Sequence, residues 1–228
     1  GTTSPVTWNH TVASGGVLYV SLGFAYPAAD PVTAVTFDGA AMTLIKKDTN
    51  NSRQFQVWGI LNPTTGSAKA VSVSFSTTGT PTCWGGSVSY TGVNTSAFSS
   101  VTPVEVHNAG ASNSVSTSIT PTVDNSVILG AVWDDNINIA SYTNIVNVGA
   151  VSFVTPTESN PLLISPAAAT TVGFVSTDID WLKLIAFVAE PPASGPANLK
   201  SLDSNVKANI KSYNGNVLAN IKSIDSNA

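Results

Sequence analysis

Val71-Ser-Val-Ser-Phe-Ser76 alternates apolar and polar residues without a break. A period of two puts Val71, Val73 and Phe75 on one face of an extended strand and the three serines on the other, the pattern of a half-buried sheet strand. Working outward, the same alternation or short β-branched apolar runs predict strands over 17–25, 32–37, 42–47, 55–61, 84–91, 114–120, 127–133, 151–154, 171–176 and 182–189. Asp38-Gly39, Asn62-Pro63, Thr65-Gly66 and Asp124-Asn125 supply turn chemistry between them. Helical periodicity is nearly absent. Short strands at this spacing predict an all-β chain whose residues 1–190 form a two-sheet antiparallel β-sandwich.

Val127-Ile-Leu-Gly-Ala-Val-Trp133 and Leu182-Lys-Leu-Ile-Ala-Phe-Val-Ala189 are apolar at almost every position, so both strands need cover on both faces. Pro191-Pro-Ala-Ser-Gly-Pro-Ala197 then breaks the pattern, because proline removes ladder donors and stiffens the backbone. Residues 191–197 read as a linker.

Behind the linker the chain repeats every eleven residues: Asn198-Leu-Lys-Ser-Leu-Asp-Ser-Asn-Val-Lys-Ala208, Asn209-Ile-Lys-Ser-Tyr-Asn-Gly-Asn-Val-Leu-Ala219 and Asn220-Ile-Lys-Ser-Ile-Asp-Ser-Asn-Ala228. Such units bury their apolar side only against neighbours. Val206, Ala208 and Ile210 alternate with polar residues, as do Val217, Ala219 and Ile221 beyond Asn214-Gly215, a strong hairpin-turn pair. The expectation is a β-ribbon with strands over 206–212 and 217–223. The Asn, Ser and Gly content argues against the helical supercoil that an eleven-residue period can also encode. A lone ribbon is marginal in water, so 198–228 is read as an element for docking or oligomerisation, a trimer included. Its contact residues would be Leu199, Leu202, Val206, Ala208, Ile210, Tyr213, Val217, Ala219, Ile221 and Ile224. A trimeric prism, a packed ribbon and a strand donated to another protein's sheet edge all fit the pattern.

A chain of 228 residues can bury enough surface to need neither metal nor disulfide, and the single Cys83 cannot form an internal bridge. Charged residues make up only 10% of it, which leaves a neutral surface rich in Ser, Thr and Asn. Residues 1–190 carry five basic groups against eleven acidic ones, while 191–228 carry four lysines against two aspartates. An acidic body argues against a nucleic-acid partner. No stretch approaches the ~20 apolar residues of a membrane-spanning helix.

Little in the chain points to catalysis. His10, His107, Cys83 and scattered carboxylates form no nucleophile elbow, zinc-ligand pair, phosphate loop or dinucleotide fingerprint. Cys83 beside Trp84 in a strand reads as a small buried hydrophobe, and Glu105 with His107 as a surface pair on one strand face. Asp134-Asp135-Asn136 and Asp178-Ile-Asp180 read as strand-end turns, because neither has the ligand ladder and closing glutamate of a calcium loop. No cofactor is expected. Of the five tryptophans, Trp58 has opposite parity to Phe55 and Val57 in its strand, which makes it the one candidate for contact with a ligand such as a glycan.

Residues 5–190 resemble a β-sandwich module, jelly-roll-like, that recurs in tailed-phage virion proteins and in secreted or surface proteins of bacteria. The resemblance runs through Val32-Thr-Ala-Val-Thr-Phe-Asp-Gly39 with Met42-Thr43-Leu44, Val57-Trp58-Gly-Ile-Leu-Asn-Pro-Thr-Thr-Gly66, Val71 to Phe75, Ser87-Val-Ser-Tyr-Thr-Gly-Val93, Asp124-Asn-Ser-Val127 and the strand before Glu190. The Asn-Ile-Lys-Ser-x-Asn-Gly repeats are similar to short C-terminal repeats on phage virion proteins and some bacterial surface proteins. The resemblance implies a non-enzymatic structural protein on a virion surface, as capsid decoration, head fibre or tail-associated protein, with a capsid or tail protein as partner. The alternative it leaves open is an extracellular or cell-surface adhesin or carbohydrate-binding module. It carries no catalytic residues.

Overall fold

The chain was studied as a computed structural model, which describes residues 4–25, 30–50, 53–76, 82–108, 110, 112–136, 138–149, 153–160, 164, 168–179 and 181–192, with the backbone of 212–213 and 216–217. Two units divide it, Gly1–Pro192 and Ala193–Ala228.

Among its described residues the first unit holds sixteen strands and no α-helix. They are β1 (Val6–His10), β2 (Gly16–Ala25), β3 (Val32–Phe37), β4 (Ala40–Ala41), β5 (Thr43–Asp48), β6 (Arg53–Leu61), β7 (Lys69–Phe75), β8 (Thr82–Thr91), β9 (Val104–His107), β10 (Ser114–Ile119), β11 (Val127–Asp134), β12 (Ile139–Thr143), β13 (Ile145–Asn147), β14 (Val154–Ser159), β15 (Thr170–Ser176) and β16 (Leu182–Ala189). The pattern predicts two sheets, whereas these strands form four antiparallel ones. A first outer sheet runs β1-β7-β3-β4 and a first inner sheet β5-β6-β2-β8. A second inner sheet runs β13-β14-β11-β16-β9 and a second outer sheet β10-β15-β12.

One strand order is therefore used twice. β1-β7-β3 corresponds to β10-β15-β12, and β5-β6-β2-β8 to β13-β14-β11-β16, with β9 added at the far edge.

Strand parity stacks the four sheets as layers. In β2, Leu18, Val20, Leu22 and Phe24 pack with Val35, Phe37, Val71 and Val73 between the first outer and inner sheets. Val17 and Tyr19, of opposite parity, pack with Leu129, Trp133 and Phe187 between the two inner sheets. Ile128, Val132, Leu184 and Val188 then meet Val115, Val172 and Phe174 between the second inner and outer sheets. Strands β2, β11 and β16 are buried at every position, as largely apolar strands with cover on both faces must be.

The contact between the inner sheets is aromatic. Tyr19 and Phe187 have ring centroids 4.9 Å apart, and Trp133 meets Phe55 and Trp84 edge to face at 6.1 and 5.8 Å. Trp133 lies where a side chain at residue 23 would stand: a Cβ added to Gly23 would overlap its ring and collide with Val154.

Local chemistry explains the turn at Asp38-Gly39, where φ values of 50° and 80° at the two central residues close β3 onto β4 in the type I′ sense. It does not announce β14. The strand predicted over 151–154 lies at Val154–Ser159, where Pro156 sits opposite Ala131 inside the sheet and its carbonyl accepts from the Val148 amide at 3.1 Å. Residues 151–152 lie outside the described ones.

Two substitutions test the inner contact. Trp133→Ala should lower unfolding free energy by about 3–5 kcal/mol, the usual cost of emptying a large aromatic site. Gly23→Val should also destabilise, by overpacking against the same ring. Denaturant titration of both variants checks this, and near-native stability in either would contradict the packing described.

Candidate functional site

Trp58 is half buried, with its ring on the side of the first inner sheet that faces the outer one, beside Ile60. Its indole N–H donates to Gln56 Oε1 at 2.8 Å, and Gln56 Nε2 donates to Asp30 Oδ1 at 2.8 Å. The parity difference from Phe55 and Val57 thus places Trp58 in a second core layer. The five tryptophans are not gathered on one platform: Trp8 and Trp58 join the first core, Trp84 and Trp133 the central one, and Trp181 lies under Arg53.

Of the tail, the backbone of Ser212–Tyr213 pairs with Asn216–Val217, in the register Ser212 to Val217 and Tyr213 to Asn216. That pairing is antiparallel, and Asn214-Gly215 between the two segments lie outside the described residues. Leu199, Leu202, Val206, Ala208, Ile210, Ala219, Ile221 and Ile224 lie outside the described residues.

The titratable groups that look scattered in the sequence converge at one end of the inner sheets. Lys183 lies on the face of β16 that carries Ile185 and Phe187, and it is 1% exposed. Its ammonium donates to Asp48 Oδ1 at 2.8 Å and to the Asn50 carbonyl at 3.0 Å. Asp48 ends β5, is itself buried, and also accepts from the Asn50 amide at 2.9 Å. Its other oxygen, Oδ2, lies 3.0 Å from His107 Nδ1. Asn50 Nδ2 lies 2.5 Å from His107 Nε2, and His107 Nδ1 faces the Asp48 carboxylate, which can only accept, so the ring donates to Asp48 from Nδ1. Glu105 and His107 do share a face of β9, yet they do not pair with each other. Glu105 meets Lys46 at 2.5 Å and His107 meets Asp48, so β9 and β5 are tied across the two inner sheets.

Beside this group Arg53 donates to Asp135 Oδ2 from Nε at 3.1 Å and from Nη2 at 2.5 Å, with its guanidinium 4.9 Å from the Trp181 ring. Burial holds the Lys183 pKa below its ordinary value, with Asp48 pulling the other way. A buried pair of this kind offsets its own desolvation only while both partners are present. Lys183 in an otherwise apolar octapeptide was the one available signal, since a cation there demands a buried anion.

A neutral network closes the opposite edges of the first two sheets. Trp8 Nε1 donates to Ser87 Oγ at 2.8 Å, Ser87 Oγ meets His10 Nδ1 at 2.9 Å, and His10 Nε2 meets Ser89 Oγ at 3.0 Å. Burial lowers the His10 pKa.

Asp134 Oδ1 accepts from the Asn136 amide at 3.0 Å in a strand-end turn, and Asp178 accepts from Asn138 at 2.8 Å. Asp180 lies outside the described residues. Among those searched, no three His, Cys, Asp or Glu residues stand together as metal ligands. Cys83 is half buried against the first core, and burial pushes its thiol up to about 12.

Two consequences are measurable. A histidine whose folded pKa is depressed contributes stability above its unfolded pKa and loses it as pH falls. Stability should therefore decline from about pH 7 to pH 5, and His10→Gln should flatten part of that decline in denaturant titrations. A thiol so rarely ionised should resist iodoacetamide at pH 7 in the folded chain and react when the chain is unfolded; fast native labelling would contradict the burial of Cys83.

Comparison of the chain with protein-family models, curated proteins and solved structures found no match.

Proposed function

We propose that this chain is a non-enzymatic structural protein of a bacteriophage particle, with its sandwich unit exposed and residues 198–228 attached to a capsid or tail protein or to sister copies. The observation that carries the reading is the eleven-residue repeat, two full copies and a nine-residue third, behind a Pro-rich spacer. Such units need neighbours to bury their apolar rows. Many copies on a symmetric lattice let individually weak ribbon contacts add up through effective concentration.

The body fits that role. Its buried ions tie one sheet to another, and Trp58 spends its N–H inside the protein, which favours a structural part over a sugar platform. We read each half as a jelly-roll-like two-sheet sandwich, supported by the repeated strand order and by a chain that passes from the outer sheet at β4 to the inner sheet at β5.

Quantitative mass spectrometry of density-purified particles from the source culture should find the chain at a fixed ratio to a major capsid or tail protein. Deleting 198–228 should abolish that incorporation. Recovery only in envelope or secreted material would overturn the reading in favour of an adhesin or carbohydrate-binding module.

A further inference from the structure

We propose that Lys183 and Asp48 condense into an intramolecular amide, an isopeptide bond that covalently joins β16 of the second inner sheet to the end of β5 in the first. The proposal does not depend on the virion reading.

Three features of the pair carry it. The first is isolation from water: the two side chains are 1% and 3% exposed. The other lysine–carboxylate pairs among the described residues are open to solvent, at 28% and 37% for Lys46 with Glu105, 44% and 33% for Lys47 with Asp30, and 30% and 35% for Lys69 with Asp38. In water an ammonium and a carboxylate stay ionised. Where hydration is lost, the neutral amine and carboxylic acid gain on the ion pair, and only they can react.

The second feature is proximity. Nζ stands 2.8 Å from Oδ1, one bond from the carbon it would attack, and its bond to the Asn50 carbonyl holds it there. Fixed contact of this kind replaces an encounter in solution. The third is a donor for the developing charge. His107 Nδ1 lies 3.0 Å from Oδ2, a carboxylate oxygen that can only accept, so the ring presents an N–H to it.

The step balances within the cluster. Lys183 Nζ passes one proton to Asp48 Oδ1 along their hydrogen bond, leaving a free amine beside a carboxylic acid. The amine lone pair forms the Nζ–Cγ bond while the Cγ=Oδ2 π pair moves onto Oδ2, where His107 Nδ1–H stabilises it. The Oδ2 pair then returns, the Cγ–Oδ1 bond breaks, and Oδ1 leaves with a second Nζ proton as water. Nζ keeps one hydrogen, directed at the Asn50 carbonyl, and Oδ2 becomes the amide oxygen. No oxidant, metal or external acid takes part. Burial of the amine supports the same direction, since it favours the uncharged nucleophile.

The experiment is intact-mass measurement of the full, natively folded chain after denaturation, followed by sequencing of proteolytic fragments. The expected result is a mass lower than that of the sequence by one water, with a branched fragment in which the peptide holding residue 48 is attached to the peptide holding residue 183. Lys183→Met and Asp48→Ala chains should show the full sequence mass. His107→Ala should leave a larger unlinked fraction in freshly made protein. Full sequence mass in the aged, folded natural chain would overturn the proposal, and so would a lost water placed at Asp38-Gly39 in an unbranched fragment. Because the decisive readings come from the natural chain, a variant that fails to fold does not blur them.

Discussion

The contact between the two inner sheets is the constraint on which the rest of this fold depends. The central strands of each inner sheet are buried on both faces, so neither half of the compact unit can satisfy its own strands. Val17, Tyr19, Phe55 and Val57 need Leu129, Trp133, Ile185 and Phe187 as much as those need them. Burying each such side chain is worth about 1.5–3 kcal/mol, and the shape match that makes burial complete is local: Trp133 fits because residue 23 has no side chain. Bulk on one strand is matched by its absence on the facing one.

Where that apolar contact ends, ions take over. Lys183 continues the parity of Ile185 and Phe187, so it emerges into the same interface and finds Asp48, and His107 and Glu105 reach across from β9 to β5. The interface is thus oil along most of its length and charge at one end. Directional pairs fix the register of two sheets that apolar packing alone would hold loosely, since dispersion and hydration forces carry little angular preference.

Much of this was legible in the chain. Val71 to Phe75 declared a half-buried strand, Asp38-Gly39 declared a turn, and the nearly continuous apolar runs at 127–133 and 182–189 declared strands with no solvent face. Their meaning for the architecture was less plain. A strand covered on both sides implies a third layer, yet alternation cannot say how many sheets there are, and so the count came out at two instead of four. The doubled strand order was hidden because the halves share connectivity while β8 is rich in Ser and Gly where β16 is aliphatic. β14 was obscured by Pro156 and by Thr155, Thr157 and Ser159, polar residues that are buried all the same. The charged cluster escaped notice because its members come from residues 46 to 183, and no spacing rule spans that distance. The eleven-residue period of the tail was read directly, whereas its partner surface is not written in the repeat itself.

The doubled architecture also sets an order of events for a chain made from its N-terminus. By residue 91 every strand of the first two sheets exists, and that pair can close around Leu18, Leu22 and Phe37. Its other face cannot. Tyr19, Phe55 and Val57 stay open until β11 emerges, and the cover over them is complete only when β16 ends at Ala189. Between residues 91 and 189 the nascent chain therefore carries an apolar sheet face whose native cover is incomplete, the kind of surface that recruits chaperones or other chains. A pair of sheets that looks like a domain is, in kinetic terms, a half-built one.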